Sequence, residues 1–94
     1  MTSPLQRRTV HYAGQVQGVG FRYTTASIAQ SHAVQGFAQN LPDGRVLLVV
    51  EGLPPAIEGF LAEVRERLGQ YIRQELTDVG AASGEFTQFS IRHG

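Results

Sequence analysis

Three absences limit what this sequence can do. Its 94 residues include no cysteine and no lysine, and no acidic residue precedes Asp43. Without cysteine, disulfides, thiol catalysis and thiolate metal sites are excluded. No run approaches the ~20 apolar residues of a membrane span, and the first residues lack the apolar core of a secretory signal. We therefore expect a cytoplasmic protein that makes no membrane contact.

Length and composition are typical of a single folded domain, which we expect to cover residues 1–94. The hydrophobic fraction is 41% and the formal net charge is zero, which argues against disorder and against a nucleic-acid-binding arm. Charge is uneven along the chain, because all eight acidic residues lie from Asp43 onwards. Arg22 therefore has no acidic neighbour in sequence.

The stretch from Gly14 to Arg22 carries the most informative pattern. It reads GQVQGVGFR, with three glycines, no carboxylate and one arginine, between an apparent strand and an apparent helix. Glycines leave backbone N–H groups uncovered, and a helix N-terminus adds unpaired N–H groups and a partial positive charge. A cation in the first turn of a helix is unfavourable unless an anion lies close by. The pattern indicates a phosphate or carboxylate site, although glycines that serve backbone geometry alone would give the same spacing.

Apolar periodicity predicts the remaining elements. Val10 and Tyr12 fall on one side of a first strand, and helical spacing follows the glycine turn. The sequence LPDG has the proline and glycine of a hairpin turn. A second helix has its apolar residues on one face and Gly69 as its C-terminal cap. The predicted elements are a strand at 8–15, a helix from 21 to about 33, hairpin strands at 33–40 and 45–51, a helix from 54 to 68, a strand at 71–79, a loop at 80–84 and a strand at 87–92.

The predicted order is β-α-β-β-α-β with an extra short C-terminal strand. An antiparallel sheet with both helices on one face satisfies these patterns together, as an α+β sandwich of two layers. The first two strands then run parallel with the third between them, so their C-terminal ends lie at one edge. Arg22 follows the first of these ends and Asn40 stands at the second, about 10 Å away at ~4.8 Å per strand. Both side chains can reach one small anion.

Two motifs resemble the signatures of the acylphosphatase family. The stretch at 14–22 matches G-x-V-Q-G-V-G-F-R, and the second motif runs from Gly36 to Val46 with Asn40, Asp43 and Gly44 at the family's spacing. The resemblance implies a hydrolase of the carboxyl–phosphate bond that uses no metal and no cofactor. It also implies the ferredoxin-like form of the two-layer sandwich.

The resemblance assigns roles to individual residues. The family's phosphate-binding arginine falls on Arg22, and its water-positioning asparagine falls on Asn40. The chain departs from the family pattern at Gln39, where a basic residue is common, and at Gly69-Gln70, where Gly-Pro is common. The first departure weakens the local positive field, and the second leaves the start of the fourth strand open. The family's phosphate cradle falls on Gln17, Gly18, Val19, Gly20 and Phe21.

The chemistry of these residues agrees with that assignment. An acyl phosphate already has a good leaving group, so an enzyme must mainly hold the phosphoryl group, screen its charge and aim a water in line. The planar fork of Arg22 matches two phosphate oxygens, and turn N–H groups can take the others. The amide of Asn40 can orient a water but is no useful base. We therefore expect the substrate phosphate itself to accept the proton of the water.

Other functions fit the residues less well. The three histidines have no ligand spacing, so no metal site is expected. Tyr23 stands where the third glycine of a dinucleotide fingerprint belongs, and no P-loop lysine follows. The third strand reads RVLLVVEG, without the stacking aromatics of RNA-recognition domains. Ser27 and Ser31 have no partnered base in any motif, so a serine nucleophile is unsupported.

We expect a free-standing monomeric enzyme that acts on a small-molecule acyl phosphate and binds no nucleic acid. The alternative is a non-catalytic anion-binding or regulatory module, similar to the acylphosphatase-like domains of larger carbamoyl-transfer maturation proteins. In those proteins the chain continues well beyond the domain, whereas this sequence ends one residue after His93. A purely structural interaction domain would leave the turn before Arg22 unexplained.

Overall fold

Five strands and two α-helices lie along residues 4–93, the part of the chain that the computed structural model describes. The predicted β-α-β-β-α-β order with an extra short strand is confirmed. In chain order the elements are β1 (Gln6–Gly14), α1 (Phe21–Ala29), β2 (Val34–Asn40), β3 (Val46–Gly52), α2 (Pro54–Leu68), a 3₁₀ turn (Gly69–Tyr71), β4 (Ile72–Ala81) and β5 (Phe89–Arg92).

The sheet has the strand order β4-β1-β3-β2-β5. Because β3 is antiparallel to both β1 and β2, these two strands run parallel on either side of it, as predicted. The register places Tyr12 opposite Val46, and Val46 opposite Asn40. β5 pairs in parallel with β2, so the sheet is mixed and not antiparallel throughout. β4 ends at the end of the sheet where β2 begins, so the chain enters β5 in the direction of β2.

Both helices pack on one face of the sheet and form the core with it. Val10 and Tyr12 of β1 point into this core, as their alternation predicts. Burial of each large apolar side chain stabilises the fold by about 1.5–3 kcal/mol. Neither helix in the described range has the length and apolar character needed to cross a bilayer. The predicted apolar face of α2 is confirmed, and its buried residues are Ile57, Phe60, Leu61, Val64 and Leu68.

Some element boundaries differ from the predictions. α1 ends at Ala29, four residues early, because the next N–H groups bond three residues back and tighten the chain into turns. Gly69 follows the last residue of α2 but keeps a right-handed φ of −57° and opens the 3₁₀ turn. β4 continues through Ala81, in the predicted loop, because it pairs with β1 as far as Gln6. The last strand begins at Phe89 and not at residue 87.

The connection from β4 to β5, residues 82–88, crosses the face of the sheet opposite the helices and is called the crossing segment below. Its anchor is Glu51 of β3, whose side chain is 4% exposed. This carboxylate accepts hydrogen bonds from Arg7 Nε at 2.7 Å, from the N–H of Ser83 at 2.8 Å and from the N–H of Gly84 at 3.1 Å. The crossing segment is therefore held by a buried, fully bonded carboxylate.

Aromatic rings continue this contact towards the C-terminus. The rings of Phe37 in β2 and Phe86 in the crossing segment lie 5.8 Å apart. The guanidinium of Arg92 stacks over Phe37 at 3.7 Å from the ring centroid. A cation over an aromatic face contributes about 0.5–2 kcal/mol. These contacts hold the end of β5 against β2.

Replacing Glu51 by Gln is expected to lower the free energy of unfolding by about 1–3 kcal/mol at neutral pH, because the crossing segment loses a buried charged acceptor. Burial raises the pKa of Glu51, but the hydrogen bonds from Ser83, Arg7 and Gly84 outweigh it and hold the pKa below its usual value. The stabilisation is therefore complete above the ordinary glutamate pKa and is lost as the pH falls through the lowered value.

Urea unfolding at neutral and acidic pH measures this effect. The stability difference between wild type and Glu51→Gln should shrink on acidification. Glu66→Gln, on the exposed side of α2, removes the same charge and should leave stability unchanged. Equal stability of wild type and Glu51→Gln at neutral pH would contradict the expected role.

Candidate active site

The turn between β1 and α1 has a backbone conformation that requires its glycines. Gly18 and Gly20 have φ values of 79° and 76°, in the left-handed region that other residues rarely adopt. An added Cβ at either position would meet no atom within 4 Å, so conformation and not crowding makes glycine necessary. The turn therefore has an open surface of backbone atoms.

The backbone N–H groups of residues 17–21 donate to no acceptor in the described part of the chain. α1 begins at Phe21, so the positive end of its dipole faces the same turn. Unpaired N–H groups at a helix N-terminus form a favourable environment for an anion. The backbone predicted to cradle phosphate is thus available for that role.

Arg22 is the second residue of α1 and is half-buried. Its Nη1 donates to the carbonyl oxygen of Arg92 at 3.0 Å and lies 3.5 Å from Nδ1 of His93. No acidic residue lies in the first turn of α1, and Arg22 forms no ion pair within residues 4–93. Because a guanidinium has five N–H donors, most of its capacity is left for an anion.

Asn40 is the last residue of β2 and is half-buried. Its Oδ1 is buried and has no hydrogen-bond partner within the described residues. A buried polar atom without a partner costs about 1–3 kcal/mol, so such atoms are rare in folded proteins. An unpaired amide oxygen at this position is therefore suited to a ligand or a water.

A cavity of about 220 Å³ brings these groups together. Among residues 4–93, Arg22 is the only charged residue that lines it, and no carboxylate of these residues does. Arg22 and Asn40 thus share one cavity, as the topology predicts. The lining residues are Val16, Gly18, Gly20, Phe21, Arg22, Tyr23 and Asn40.

Two of the residues predicted for the cradle lie outside the cavity lining. Val19 is 36% exposed. Gln17 directs its side-chain amide away from the cradle, to the carbonyl oxygens of Leu41 at 2.8 Å and Arg45 at 3.0 Å. For these two residues only the backbone N–H groups remain as candidate phosphate donors.

A family model described as acylphosphatase matches residues 8–91. The chain belongs to the acylphosphatase family. The predicted family, fold class and enzyme class are confirmed.

Relatives named acylphosphatase match most of this chain. The protein of Oceanobacillus iheyensis is 36% identical over 86 residues, which cover 89% of this chain and 94% of the relative. The protein of Methylococcus capsulatus is 37% identical over 89 residues, which cover 93% and 96%. The similarity thus extends over nearly the whole length of both relatives.

Two solved structures give the same fold. The acylphosphatase from Bacillus subtilis matches with a TM-score of 0.80 and 29% identity, over 94% of this chain and 98% of that chain. Full-length HypF in its phosphate- and nucleotide-bound form matches with a TM-score of 0.83 and 28% identity. That match covers 98% of this chain but 12% of HypF, so the same fold also occurs within a much larger protein.

The sequence patterns missed several neighbours of the site in this acylphosphatase-family chain. Tyr23 and Val16 line the cavity, and both adjoin or lie within the first motif, so position alone could have suggested them. Arg92 and His93 contact Arg22 from the far end of the chain, and no local pattern indicates that contact. Within residues 4–93, no group of three or more acidic or histidine side chains is arranged to hold a metal ion.

Proposed function

We propose that this acylphosphatase-family protein hydrolyses small acyl phosphates to a carboxylate and inorganic phosphate. The observation that carries the proposal is the cavity that Arg22 and Asn40 both line, with no carboxylate of residues 4–93 among its lining residues. The proposed substrate is a small molecule, and its phosphoryl end would occupy the cradle of residues 17–21.

Charge stabilisation is the main task of the proposed site. The phosphoryl group of an acyl phosphate carries negative charge on its three terminal oxygens. Arg22 would bind two of these oxygens through its fork, and the N–H groups of the turn would bind the third. Donors fixed in place before reaction stabilise the charge of the transition state without reorganisation. This arrangement needs neither a covalent nucleophile nor a strong acid.

Asn40 would orient the attacking water. In the proposed step, the water oxygen forms a bond to phosphorus as the bond from phosphorus to the acyl oxygen breaks. The electron pair of that bond leaves with the carboxylate product. A proton of the water moves to a phosphate oxygen, so the products are a carboxylate and dihydrogen phosphate, which then ionises. Asn40 contributes position and not basicity, because an amide does not accept a proton usefully.

The substrate is proposed as its own base because, in the part of the chain that the structure describes, neither a carboxylate nor an imidazole lines the cavity. His93 does not line the cavity, but its Nδ1 lies 3.5 Å from Nη1 of Arg22. If it were a general base, removing it would change the pH dependence of the rate.

His93→Gln is expected to leave the pH profile of kcat/KM unchanged in shape and position. Glutamine keeps a polar side chain of similar length but cannot titrate, so a profile set by the substrate phosphate is unaffected. Initial rates of phosphate release between pH 5 and 9, in overlapping buffers of constant ionic strength for wild type and variant, measure this. Loss of a kinetic pKa in His93→Gln would show that the histidine, and not the substrate phosphate, accepts the proton of the water.

Release of inorganic phosphate from acetyl phosphate tests the proposed activity. We expect turnover in the range of about 1–10³ per second that enzymes commonly show, without added metal. Buffer without protein gives the spontaneous rate, and chelator in the assay removes trace metal. A rate equal to the spontaneous rate would reject the proposed function.

A second candidate is a non-catalytic anion-binding module. The observation that favours it is the likeness to HypF, where a similar fold is about an eighth of a larger protein. Tight binding of inorganic phosphate without hydrolysis of any acyl phosphate would support this alternative. The expected cytoplasmic location, monomeric state, single domain over residues 1–94 and independence from metal and cofactor stay predictions.

A further inference from the structure

The two halves of the site come from segments far apart in sequence. The cradle lies in the turn after β1, whereas Asn40 ends β2 just before the hairpin turn. A displacement of about 1 Å between reacting groups can lower a rate by about 10²-fold. A contact that fixes the cradle against the hairpin therefore bears directly on turnover.

One side chain makes this contact. Nε2 of Gln17 donates to the carbonyl oxygens of Leu41 and Arg45, at 2.8 and 3.0 Å. No other hydrogen bond in the described part of the chain joins the glycine turn to the hairpin turn. Leu41 directly follows Asn40, so the contact lies one residue from the group proposed to orient water.

The two carbonyls also close the hairpin turn. The N–H of Leu41 donates to the carbonyl of Arg45 at 2.8 Å, and the N–H of Gly44 donates to the carbonyl of Leu41 at 3.1 Å. Gln17 thus adds a second donor to each acceptor that shapes the hairpin. Movement of the hairpin relative to the glycine turn would break both of its hydrogen bonds.

The chemistry of the amide distinguishes positioning from binding. Both neighbours of the side chain are carbonyl oxygens, so its nitrogen and not its oxygen must face them. The two N–H donors of the amide are both used in these bonds, and Gln17 does not line the cavity. Its side chain therefore has no donor left for a phosphate oxygen.

We propose that Gln17 is a positioning residue, which holds Asn40 and the water it orients at a fixed distance from the phosphate cradle. The inference rests on the proposed function, since it gives Gln17 a role in turnover through Asn40. It gives the Gln17 side chain a role beside that of its backbone N–H, which stays in the predicted cradle.

Gln17→Met tests this role, because methionine has a similar length but no N–H donor. We expect kcat for acetyl phosphate to fall by about 10–10²-fold, as for a displacement of up to about 1 Å, while KM and the inhibition constant of inorganic phosphate change by less than about 3-fold. Gln15→Met is the matched control. Gln15 lies in the same turn and is exposed, and its side chain makes no hydrogen bond among residues 4–93.

A double-mutant cycle with Asn40→Ala separates positioning from a general structural effect. If Gln17 acts through Asn40, Gln17→Met should cause little further loss of kcat once Asn40 is alanine, because contacting or coupled residues are non-additive. A double variant whose fold-loss of kcat equals the product of the two single fold-losses would overturn the proposal. So would a kcat within about 2-fold of wild type, or a phosphate inhibition constant that weakens as much as kcat falls.

Amide hydrogen exchange keeps the test independent of catalysis. Gln17→Met should speed exchange at Leu41 and Gly44, whose N–H groups close the hairpin turn. If the wild type released no phosphate, the proposed function would fail, and the exchange rates would still decide the contact. Unchanged exchange at both amides would overturn the role of Gln17.

Discussion

Arg22→Gln is expected to lower kcat/KM for acetyl phosphate by about 10²–10³-fold, the usual effect of removing one fixed donor to developing charge. The loss should be large because Arg22 is the only charged residue among the described ones that line the cavity. Glutamine is shorter, carries no charge and cannot bind two phosphate oxygens at once. Inhibition by inorganic phosphate should weaken as well, since the same fork is proposed to hold the product.

Steady-state kinetics and urea unfolding on the same samples measure this prediction. Arg67→Gln is the matched control, because Arg67 lies near the exposed end of α2 with a side chain 50% exposed. It removes the same charge from the chain and should retain wild-type kinetics. Full activity in Arg22→Gln, with the fold intact, would contradict the assignment of the phosphate-binding arginine.

Asn40→Ala is expected to lower kcat by about 10²-fold while inhibition by inorganic phosphate stays within about 3-fold of wild type. Removing the amide takes away the proposed orientation of water but leaves Arg22 and the cradle intact. The same change should not destabilise the fold, because it deletes a buried oxygen that has no partner among the described residues. We therefore expect Asn40→Ala to have a lower kcat than wild type and an equal or higher free energy of unfolding.

Gln39→Ala is the control for this variant, since Gln39 precedes Asn40 and points to the other face of β2. The two variants should separate in kcat and agree in phosphate inhibition. If Asn40→Ala lost phosphate inhibition in proportion to kcat, Asn40 would bind the phosphoryl group and not the water.

Local patterns predicted most of the fold because they report burial directly. The alternation at Val10 and Tyr12 and the apolar stripe of α2 each describe one buried face, and burial is the dominant stabilising effect. The end of α1 was wrong by four residues because the chain there tightens into turns with no residue that marks the change. The direction of β5 depends on where β4 ends, which is a property of the whole sheet.

The site likewise has some features that local sequence patterns predict and others that depend on tertiary packing. Glycine spacing and a cation at a helix start point to Gly18, Gly20 and Arg22 through chemistry that acts within a few residues. The contact of Arg22 with Arg92 spans 70 residues, and that of Gln17 with Arg45 spans 28. Such contacts follow from tertiary packing, so no pattern in the sequence indicates them.

Hydrolysis of acetyl phosphate in water enriched in ¹⁸O is the most direct measurement of the central claim, that the protein directs water to phosphorus. Mass spectrometry of the products then locates the new bond. The proposed mechanism predicts one ¹⁸O atom in the released phosphate and none in the acetate. Label in the acetate, or no release above the spontaneous rate, would contradict it.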